Sequence, residues 1–340
     1  MESRQCGLSC ARCWRPGNDR QRCRAPLSGQ AGIEAVMKIK FMFVLAISVF
    51  VLSGLSAAQG SEVTPVESLD PEWQPLYELV DVDLQRQLQQ LVNKNPSWKT
   101  LVAQKRMAVG VVDLSGEQPR FARINGNNMM YAASLPKIAI LLAAYVSFED
   151  GSLVETDEVH ADLTAMIRVS NNAAATRMID RIGLPRIGEI LSDPSFGFYD
   201  ESRGGGLWVG KRYSSNTERR GDPIHNISHG ASVTQVCRFY YLLAEGRLVN
   251  PARSAQMLQE LSDPKLHHKF VRELDQLAPE ATIFRKSGTW RNYHSDSVMV
   301  LGNQWRNYIL VAMVESPDGE KIIQKILPKV EALLHAPAIK

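Results

Sequence analysis

The sequence predicts a mixed α/β fold of the α+β type, in which one antiparallel sheet is built from both chain ends and an all-helical lobe is inserted. Two strand-like runs occur early in the globular region, at Met107–Leu114 and Phe121–Ile124. Three more begin at or after Thr282, and helical patterns fill the residues between the two sets. A sheet made from both ends of a chain, with helices on its faces, is a stable way to cover apolar surface.

Each element is predicted from the spacing of its apolar residues. A polar leader containing prolines precedes the first helix. Helical patterns occur near Leu76–Val92, Ser134–Phe148, Asp162–Ile182, Val233–Ala244 and Glu320–His335. β-Branched and aromatic runs predict the last strands, which begin at Thr282, Ser297 and Tyr308. We therefore expect a helical lobe over about residues 134–270, with a ligand-binding cleft between the lobe and the sheet.

An export signal precedes these elements. Lys38 and Lys40 are followed by the apolar run Phe41–Leu52 and by small residues that end at Ala58. A positive region, an apolar run and small residues are the three parts of a secretory signal peptide. The sequence predicts a signal peptide over residues 37–58, and therefore a periplasmic or secreted product. The alternative is an uncleaved membrane anchor, for which this apolar run is barely long enough.

Residues 1–36 do not have the pattern of a folded domain. They are rich in Arg and hold four of the five cysteines, Cys6, Cys10, Cys13 and Cys23. No second Cys pair or His partner follows at zinc-finger spacing, so a metal site is the less favoured interpretation. We predict a spurious or non-globular extension, with translation starting at Met37. Cys237 is then the one cysteine of the mature chain, in an apolar context typical of a core, and no intrachain disulfide can form.

The charge of the chain excludes several classes of partner. There are 39 Lys and Arg against 36 Asp and Glu, and the basic excess lies in the first 58 residues. The mature domain, residues 59–340, is therefore close to neutral, which disfavours a nucleic-acid partner. It has no second long apolar run, so we expect no stable membrane insertion after signal cleavage. Gly204–Gly206 lacks the strand and Lys of a phosphate loop, and we expect no cofactor and no metal.

Ser134 and Lys137 form a Ser-x-x-Lys motif at the start of a predicted buried helix. A Ser in that place is often only the N-cap of the helix. However, Lys137 shares the face of Ser134, and a Lys in apolar surroundings loses affinity for its proton and can act as a base. Ser262 and Lys265 repeat the spacing in a polar turn, where this argument does not hold. The sequence thus favours Ser134 as a nucleophile that Lys137 activates.

Ser170 begins a Ser-Asn-Asn motif in which Asn172 is the third residue. Apolar residues precede Ser170 at helical spacing, so we expect its hydroxyl to point inward. A Ser on a helix commonly bonds to its own backbone. Two amides at a helix break are nevertheless suited to hold a substrate amide or the Lys137 amine. Ser214 begins a similar pattern within a loop, without that helical context.

Lys286, Ser287, Gly288 and Thr289 form the third motif, on a predicted strand. Side chains alternate along a strand, so Lys286 and Gly288 share one face and a cation stands beside a gap without a side chain. We expect that gap to admit a ligand. Taken alone, a Lys on a strand is more often a solvated edge residue.

In this order and context, the three motifs resemble those of the class A β-lactamases and the wider penicillin-recognising serine hydrolases. The resemblance extends from about Glu72 to the C-terminus. It implies a β-lactamase/transpeptidase-like fold and a catalytic role for four residues. Ser134 would be the acylated nucleophile, Lys137 its activating partner and Ser170 the relay that protonates the leaving nitrogen. Lys286 would complete this catalytic set.

The resemblance also implies a set of substrate contacts. Asn172 would bind a substrate amide, and Ser287 and Thr289 would join Lys286 in holding the substrate carboxylate. Gly288 lies within the same substrate-binding strand. The backbone N–H groups of Ser134 and Thr289 would form the oxyanion hole. The implied partner is a small-molecule β-lactam or a peptidoglycan-type peptide.

The chain departs from the class A pattern in four places. The middle motif has Asn171 where Asp is usual, and the stretch from Ser134 to Ser170 is shorter. The strand after Lys286 lacks the usual Arg. The loop that follows Asp193 lacks the Glu-x-x-Leu-Asn pattern that supplies the deacylating base. Glu201 is the nearest acidic candidate there, although a carboxylate in a polar loop is more often simply solvated.

Two functions follow from this combination of motifs and departures. The first is an exported serine hydrolase that opens β-lactams or related D-amino-acid amides through an acyl-enzyme, with impaired deacylation. The second is a D,D-peptidase, or a penicillin-binding or sensor protein with little or no β-lactam turnover. The intact nucleophile motif favours acylation, and the missing loop Glu favours slow release.

Overall fold

A computed structural model describes residues 73–215, 218–303 and 305–335. The predicted extension over residues 1–36 and the predicted signal over residues 37–58 lie outside the described residues. Within the described chain there are ten β-strands and ten α-helices. The strands, in chain order, are β1 Met107–Asp113, β2 Arg120–Ile124, β3 Met130–Tyr131, β4 Tyr199–Asp200, β5 Gly205–Gly206, β6 Trp208–Val209, β7 His229–Ala231, β8 Thr282–Trp290, β9 Tyr293–Leu301 and β10 Asn307–Glu315.

The helices lie mostly between β3 and β8. In chain order they are α1 Val82–Asn93, α2 Pro96–Ala103, α3 Lys137–Glu149, α4 Asp157–Arg168, α5 Asn172–Ile182, α6 Leu184–Ser192, α7 Val233–Ala244, α8 Pro251–Leu261, α9 Phe270–Leu277 and α10 Gly319–His335. None of these described helices is long and apolar enough to cross a membrane.

The central sheet joins the two ends of the described chain. Its five strands are antiparallel in the order β2-β1-β10-β9-β8, and Met107 of β1 pairs with Val314 of β10. The predicted α+β class and the sheet built from both chain ends are confirmed. Strand β8 forms one edge of this sheet, and its outer side faces the helices.

Both faces of the sheet are covered, and the two-residue period of the strands separates two cores. Ala108 and Val112 of β1 face the core that includes α3 and α7. Val109 and Val111 face a second core, formed with α1, α2, α9 and α10. Helix α3 is apolar on nearly every side and buries eleven of its thirteen residues, as expected for a helix at the centre of a lobe.

The structure corrects several predicted boundaries. The helix expected over Leu76–Val92 is a short 3-10 turn, Leu76–Glu78, followed by α1. Between them Val80 forms a parallel bridge to Phe121 of β2, which interrupts the helix. Helices α2, α6, α8 and α9 were not predicted. Cys237 is buried and unpaired in the core, as its apolar context indicated.

Candidate active site

Ser134 lies on a turn between β3 and α3, and it is not the N-cap of the helix. The helix begins at Lys137, its cap residue is Pro136, and no side chain bonds to its first amides. The predicted helix start at Ser134 is therefore wrong by three residues. Ala133 has a φ of +52°, which turns the backbone sharply before the Ser. Neighbouring strands brace the turn, because Ser295 Oγ donates to Ala132 O at 2.8 Å.

Lys137 is fully buried at the start of α3. Its Nζ donates to Ser170 O and to Asn172 Oδ1, both at 2.7 Å. Burial lowers the pKa of Lys137 to about 7, because the charged form loses its hydration. A neutral amine has two N–H donors and one lone pair. With both donors bound to these oxygens, the lone pair is left to accept a proton.

Ser170 lies between α4 and α5, at the break that the amides of the motif indicated. The helix predicted over Asp162–Ile182 is two helices, and Ser170 has a φ of +57° between them. Its hydroxyl therefore does not continue the apolar stripe of α4, as expected from the spacing, but reaches the site from the break. Ser170 Oγ accepts from Lys286 Nζ at 2.8 Å and lies 3.4 Å from Lys137 Nζ. One hydroxyl thus connects two amines.

Lys286 is buried in β8 and is not the solvated edge residue that a strand Lys usually is. Its Nζ donates to Ser170 Oγ and to Ser287 O, both at 2.8 Å. Burial holds the pKa of Lys286 well below its ordinary value, and the nearby charges of Lys137 and Arg285 lower it further. Ser170 accepts from Lys286, so its own proton is free for transfer elsewhere.

Gly288 does not leave an open gap for a ligand, contrary to the prediction. A Cβ at this position would overlap the carbonyl oxygen of Ala132 and would lie 2.7 Å from Ser134 N. The Ser134 turn occupies the space that the missing side chain leaves. Gly288 therefore brings strand β8 against the backbone of the nucleophile.

The backbone amide of Thr289 points to the open side of β8. Trp290 pairs with Tyr293 around a two-residue turn, and Thr289 pairs with His294. In an antiparallel hairpin, the pair next to a two-residue turn exchanges hydrogen bonds and the following pair does not. The N–H of Thr289 is therefore directed away from β9. Ser134 and Thr289 both line the cavity described below, and Ser134 N lies against Gly288, so these two amides are the candidates for an oxyanion hole.

A cavity of about 840 Å³ opens at this place. Its described lining includes Ser134, Asn172 and Thr289, so the structure brings predicted residues from all three motifs to one cavity. Lys137 bonds to the lining residue Asn172, Ser170 lies beside Lys137, and Lys286 bonds to Ser170. Ser287 is buried and joins this network through its carbonyl oxygen, which accepts from Lys286. Residues that the sequence did not indicate also line the cavity, among them Tyr131, Lys211, Tyr213, Arg219, His229 and Trp290. None of its described lining residues is Asp or Glu.

Sequence comparison identifies the family. The profile of the beta-lactamase enzyme family matches residues 159–334, more than half of the chain. The chain belongs to the beta-lactamase enzyme family. The matched residues include Ser170 and Lys286, whereas Ser134 lies before them. No curated protein matched the chain significantly.

Solved structures share the beta-lactamase fold of the chain. A beta-lactamase from Sphaerobacter thermophilus is 18% identical with a TM-score of 0.55, over 70% of this chain and 97% of its own. PBP-A has the same identity and TM-score, over 74% of this chain and 96% of its own. A class A beta-lactamase described as the last common ancestor of Gram-negative bacteria is also 18% identical with a TM-score of 0.55, over 74% and 99%.

Aromatic side chains that line the cavity lie close to the Lys137 amine. The ring centroid of Tyr213 lies 4.6 Å from Lys137 Nζ, and the Tyr213 hydroxyl donates to Ala133 O at 3.2 Å. His229 packs on Tyr213 with ring centroids 4.3 Å apart. Burial lowers the pKa of His229 to about 4, so this imidazole is neutral at ordinary pH. Both residues lie in or after a long loop with weak periodicity, which explains why the sequence did not indicate them.

Glu201 does not line the cavity that contains Ser134. It is exposed in a short 3-10 turn, Glu201–Arg203, and does not line the space around Ser134. The acidic candidate chosen from the sequence is therefore not placed to act on an ester at Ser134. The side of the cavity next to Lys137 is occupied by Tyr213 instead.

Proposed function

We propose that the protein is an exported serine hydrolase that opens β-lactams or related D-amino-acid amides through an acyl-enzyme on Ser134, and that it releases the acyl group slowly. One observation carries the proposal. The amines of Lys137 and Lys286 converge on the hydroxyl of Ser170, beside a cavity that Ser134 lines. Membership in the beta-lactamase enzyme family supports serine hydrolase chemistry at this place.

The acylation step follows from the positions of the proton donors and acceptors. Ser134 Oγ attacks the substrate carbonyl carbon and gives its proton to the neutral amine of Lys137. The amides of Ser134 and Thr289 stabilise the negative oxygen that forms. The C–N bond then breaks, and Ser170 gives its proton to the leaving nitrogen and is reprotonated from Lys137. The products are an ester on Ser134 and a released or ring-opened amine.

Deacylation lacks a comparable base. Water attacks an ester efficiently only where a group accepts its proton, and a positioned base typically contributes about 10²–10⁴-fold. The described lining of the cavity has no carboxylate, and the ring of Tyr213 contacts the Lys137 amine. Burial raises the pKa of Tyr213 far above its ordinary value, so its hydroxyl does not serve as a base. We infer that the acyl-enzyme accumulates.

The second candidate function is that of a D,D-peptidase or a penicillin-binding or sensor protein with little β-lactam turnover. The absence of acidic residues from the described lining supports this candidate as well. A variant of PBP-A, which shares the fold, is recorded as an acyl-enzyme complex with penicillin G. That observation belongs to PBP-A, and it supports penicillin G as the first probe.

The test is intact-protein mass spectrometry after mixing the purified protein with penicillin G, followed over time. We expect the mass of one penicilloyl group to appear on the protein and to persist. Ser134→Ala should show no adduct. Ser262→Ala, which changes the second Ser-x-x-Lys motif, is the matched control and should label like the wild type.

The outcomes separate the candidates. Rapid return to free protein with hydrolysed penicillin would establish a β-lactamase and refute slow release. A persistent adduct is expected both for a slow hydrolase and for a penicillin-binding protein. The rate at which the acyl group is released would then distinguish the two, because only the hydrolase regenerates free protein. An adduct that survives Ser134→Ala would refute the assignment of the nucleophile.

A further inference from the structure

Lys269 is a fully buried lysine that none of the three motifs includes. It precedes α9 and contacts the hairpin of β8 and β9. Its backbone has φ +54° and ψ −123°, a conformation that residues other than Gly rarely adopt. Such a conformation is strained and persists only where surrounding contacts impose it. The contacts of the amine supply that constraint.

The amine of Lys269 uses all of its donors on the hairpin. Nζ donates to Gly288 O at 2.7 Å, to Thr289 Oγ1 at 2.8 Å and to Ser295 O at 3.0 Å. An ammonium has three N–H donors, so none is left for a ligand. Burial lowers the pKa of Lys269 to about 8, so the amine is still mainly charged at neutral pH.

The first of these bonds connects Lys269 to the candidate oxyanion hole. Gly288 O and Thr289 N belong to the same peptide group. The hairpin register directs the carbonyl toward β9, and Lys269 Nζ donates to it there; the N–H is directed the opposite way, to the free side of β8. A cation bound to a peptide oxygen draws electron density from the nitrogen and strengthens the N–H as a donor, because hydrogen bonds in series polarise one another.

We propose that Lys269 is a positioning residue for acyl transfer, which fixes and polarises the Gly288–Thr289 peptide so that the Thr289 amide binds the oxyanion. This inference rests on the proposed acylation of Ser134. Lys269 would therefore stabilise the transition state through this peptide and would not bind the substrate, because its three N–H donors are already bonded within the protein.

The test compares Lys269→Met and Lys269→Arg with Lys265→Met. Lys265 is exposed and pairs only with Asp263 among the described acidic residues, so it controls for the loss of a lysine from the same segment. Rapid mixing with a fluorescent penicillin gives the acylation rate constant and the dissociation constant separately. We expect Lys269→Met to lower the rate constant by about 10- to 100-fold, less than the 10²–10³-fold typical for loss of a whole oxyanion donor, with an unchanged dissociation constant.

Lys269→Arg should recover part of the rate, and Lys265→Met should match the wild type. An unchanged rate constant in Lys269→Met would overturn the proposal. A larger dissociation constant with an unchanged rate constant would also overturn it, because a lysine that binds the substrate directly would give that result. If Lys269→Met does not fold, Lys269→Gln replaces it, since this variant keeps two donors and loses the charge. A wild-type rate in Lys269→Gln would also refute the proposal.

A spectroscopic measurement distinguishes polarisation from a merely structural role. The ester carbonyl of the acyl-enzyme should stretch at higher frequency in Lys269→Met, because its oxygen receives a weaker hydrogen bond. An unchanged frequency would contradict the proposal.

If the wild type forms no acyl-enzyme with penicillin, the proposed function fails, and the inference is tested on the free protein. The amide proton of Thr289 should then shift upfield in Lys269→Met and not in Lys265→Met, and an unchanged shift would overturn the proposal.

Discussion

Burial sets the basicity of Lys137, and nearby charges do not. The amine has lost its hydration inside the lobe, while its oxygen partners hold its two N–H groups. A base of this kind needs no carboxylate beside it, and the described cavity lining provides none. The proposed acylation therefore needs no acid from the loop.

The first prediction is a pH dependence of acylation. Lys137 acts as a base only when neutral, and its pKa is lowered to about 7. The labelling rate with a fluorescent penicillin should rise about tenfold per pH unit below that value and level off above it, as expected for a single essential base. Circular dichroism at each pH controls for unfolding. A labelling rate that is constant or falls across this range would contradict the assignment of Lys137.

The second prediction concerns Glu201. Its side chain is exposed and lies outside the cavity, so Glu201→Gln should leave both acylation and release of the acyl group unchanged. Stopped-flow kinetics should show a burst of product equal to the enzyme concentration, followed by slow turnover, in the wild type and the variant alike. A stalled acyl-enzyme in Glu201→Gln would show that this carboxylate is the deacylating base after all.

At the scale of elements, the sequence indicated the motifs better than the turns that position them. The run Ile138–Ala144 predicts a buried helix, and the burial of Lys137 follows from it. The start of that helix and the break at Ser170 depend on positive φ angles at Ala133 and Ser170, which are not glycines. Local propensity does not favour such angles in these residues. Tertiary contacts impose them, and a periodic pattern does not record those contacts.

The site beside β8 shows the same limit. The significance of Lys269 depends on the register of a hairpin that begins thirteen residues later, and Tyr213 reaches Lys137 from a separate loop. Neither relationship has a fixed spacing in the chain. By contrast, the alternation of Lys286 and Gly288 on β8 could be predicted, because side chains alternate on every strand.

The third prediction follows from the contact between β8 and the Ser134 turn. Gly288→Ala should destabilise the protein by about 1–3 kcal/mol, the usual range for overpacking. It should also slow acylation, because the added methyl meets the backbone of Ala132 and Ser134. Gly116→Ala is the control, since its new Cβ would lie no closer than 3.4 Å to any neighbour. Thermal unfolding and labelling rates provide the two measurements. If Gly288→Ala has the stability and the labelling rate of the wild type, the close contact between β8 and the Ser134 turn is refuted.

At the scale of the whole molecule, the described residues form a central five-stranded sheet with a core on each face, and two smaller sheets, β3-β7-β6 and β4-β5. The chain leaves the central sheet after β2, passes through the short strand β3 and the helical lobe, and returns to the central sheet at β8. The three motifs lie in the lobe and on the sheet edge that faces it. Relative movement of lobe and sheet would therefore change the distances on which proton transfer depends.

The fourth prediction concerns processing of the complete chain. The apolar run and the small residues before Gln59 predict cleavage after Ala58 by a signal peptidase. Expressed with its full sequence, the protein should be recovered outside the cytoplasm with Gln59 as its first residue. N-terminal sequencing measures this directly, and replacement of Ala58 by a bulky residue should block cleavage. A cytoplasmic product that retains Met1 would contradict the prediction.

The pairing of β1 with β10 also determines when the protein can fold during synthesis. The paired residues are about 200 positions apart in the chain, and β10 lies between β1 and β9 at the centre of the sheet. Long-range pairing of this kind forms slowly, because a long loop must close before any contact compensates for the lost entropy. While the ribosome still holds the last strand, β1 and β2 lack their neighbour and both cores stay incomplete. The nascent chain therefore remains open until β10 has left the ribosome.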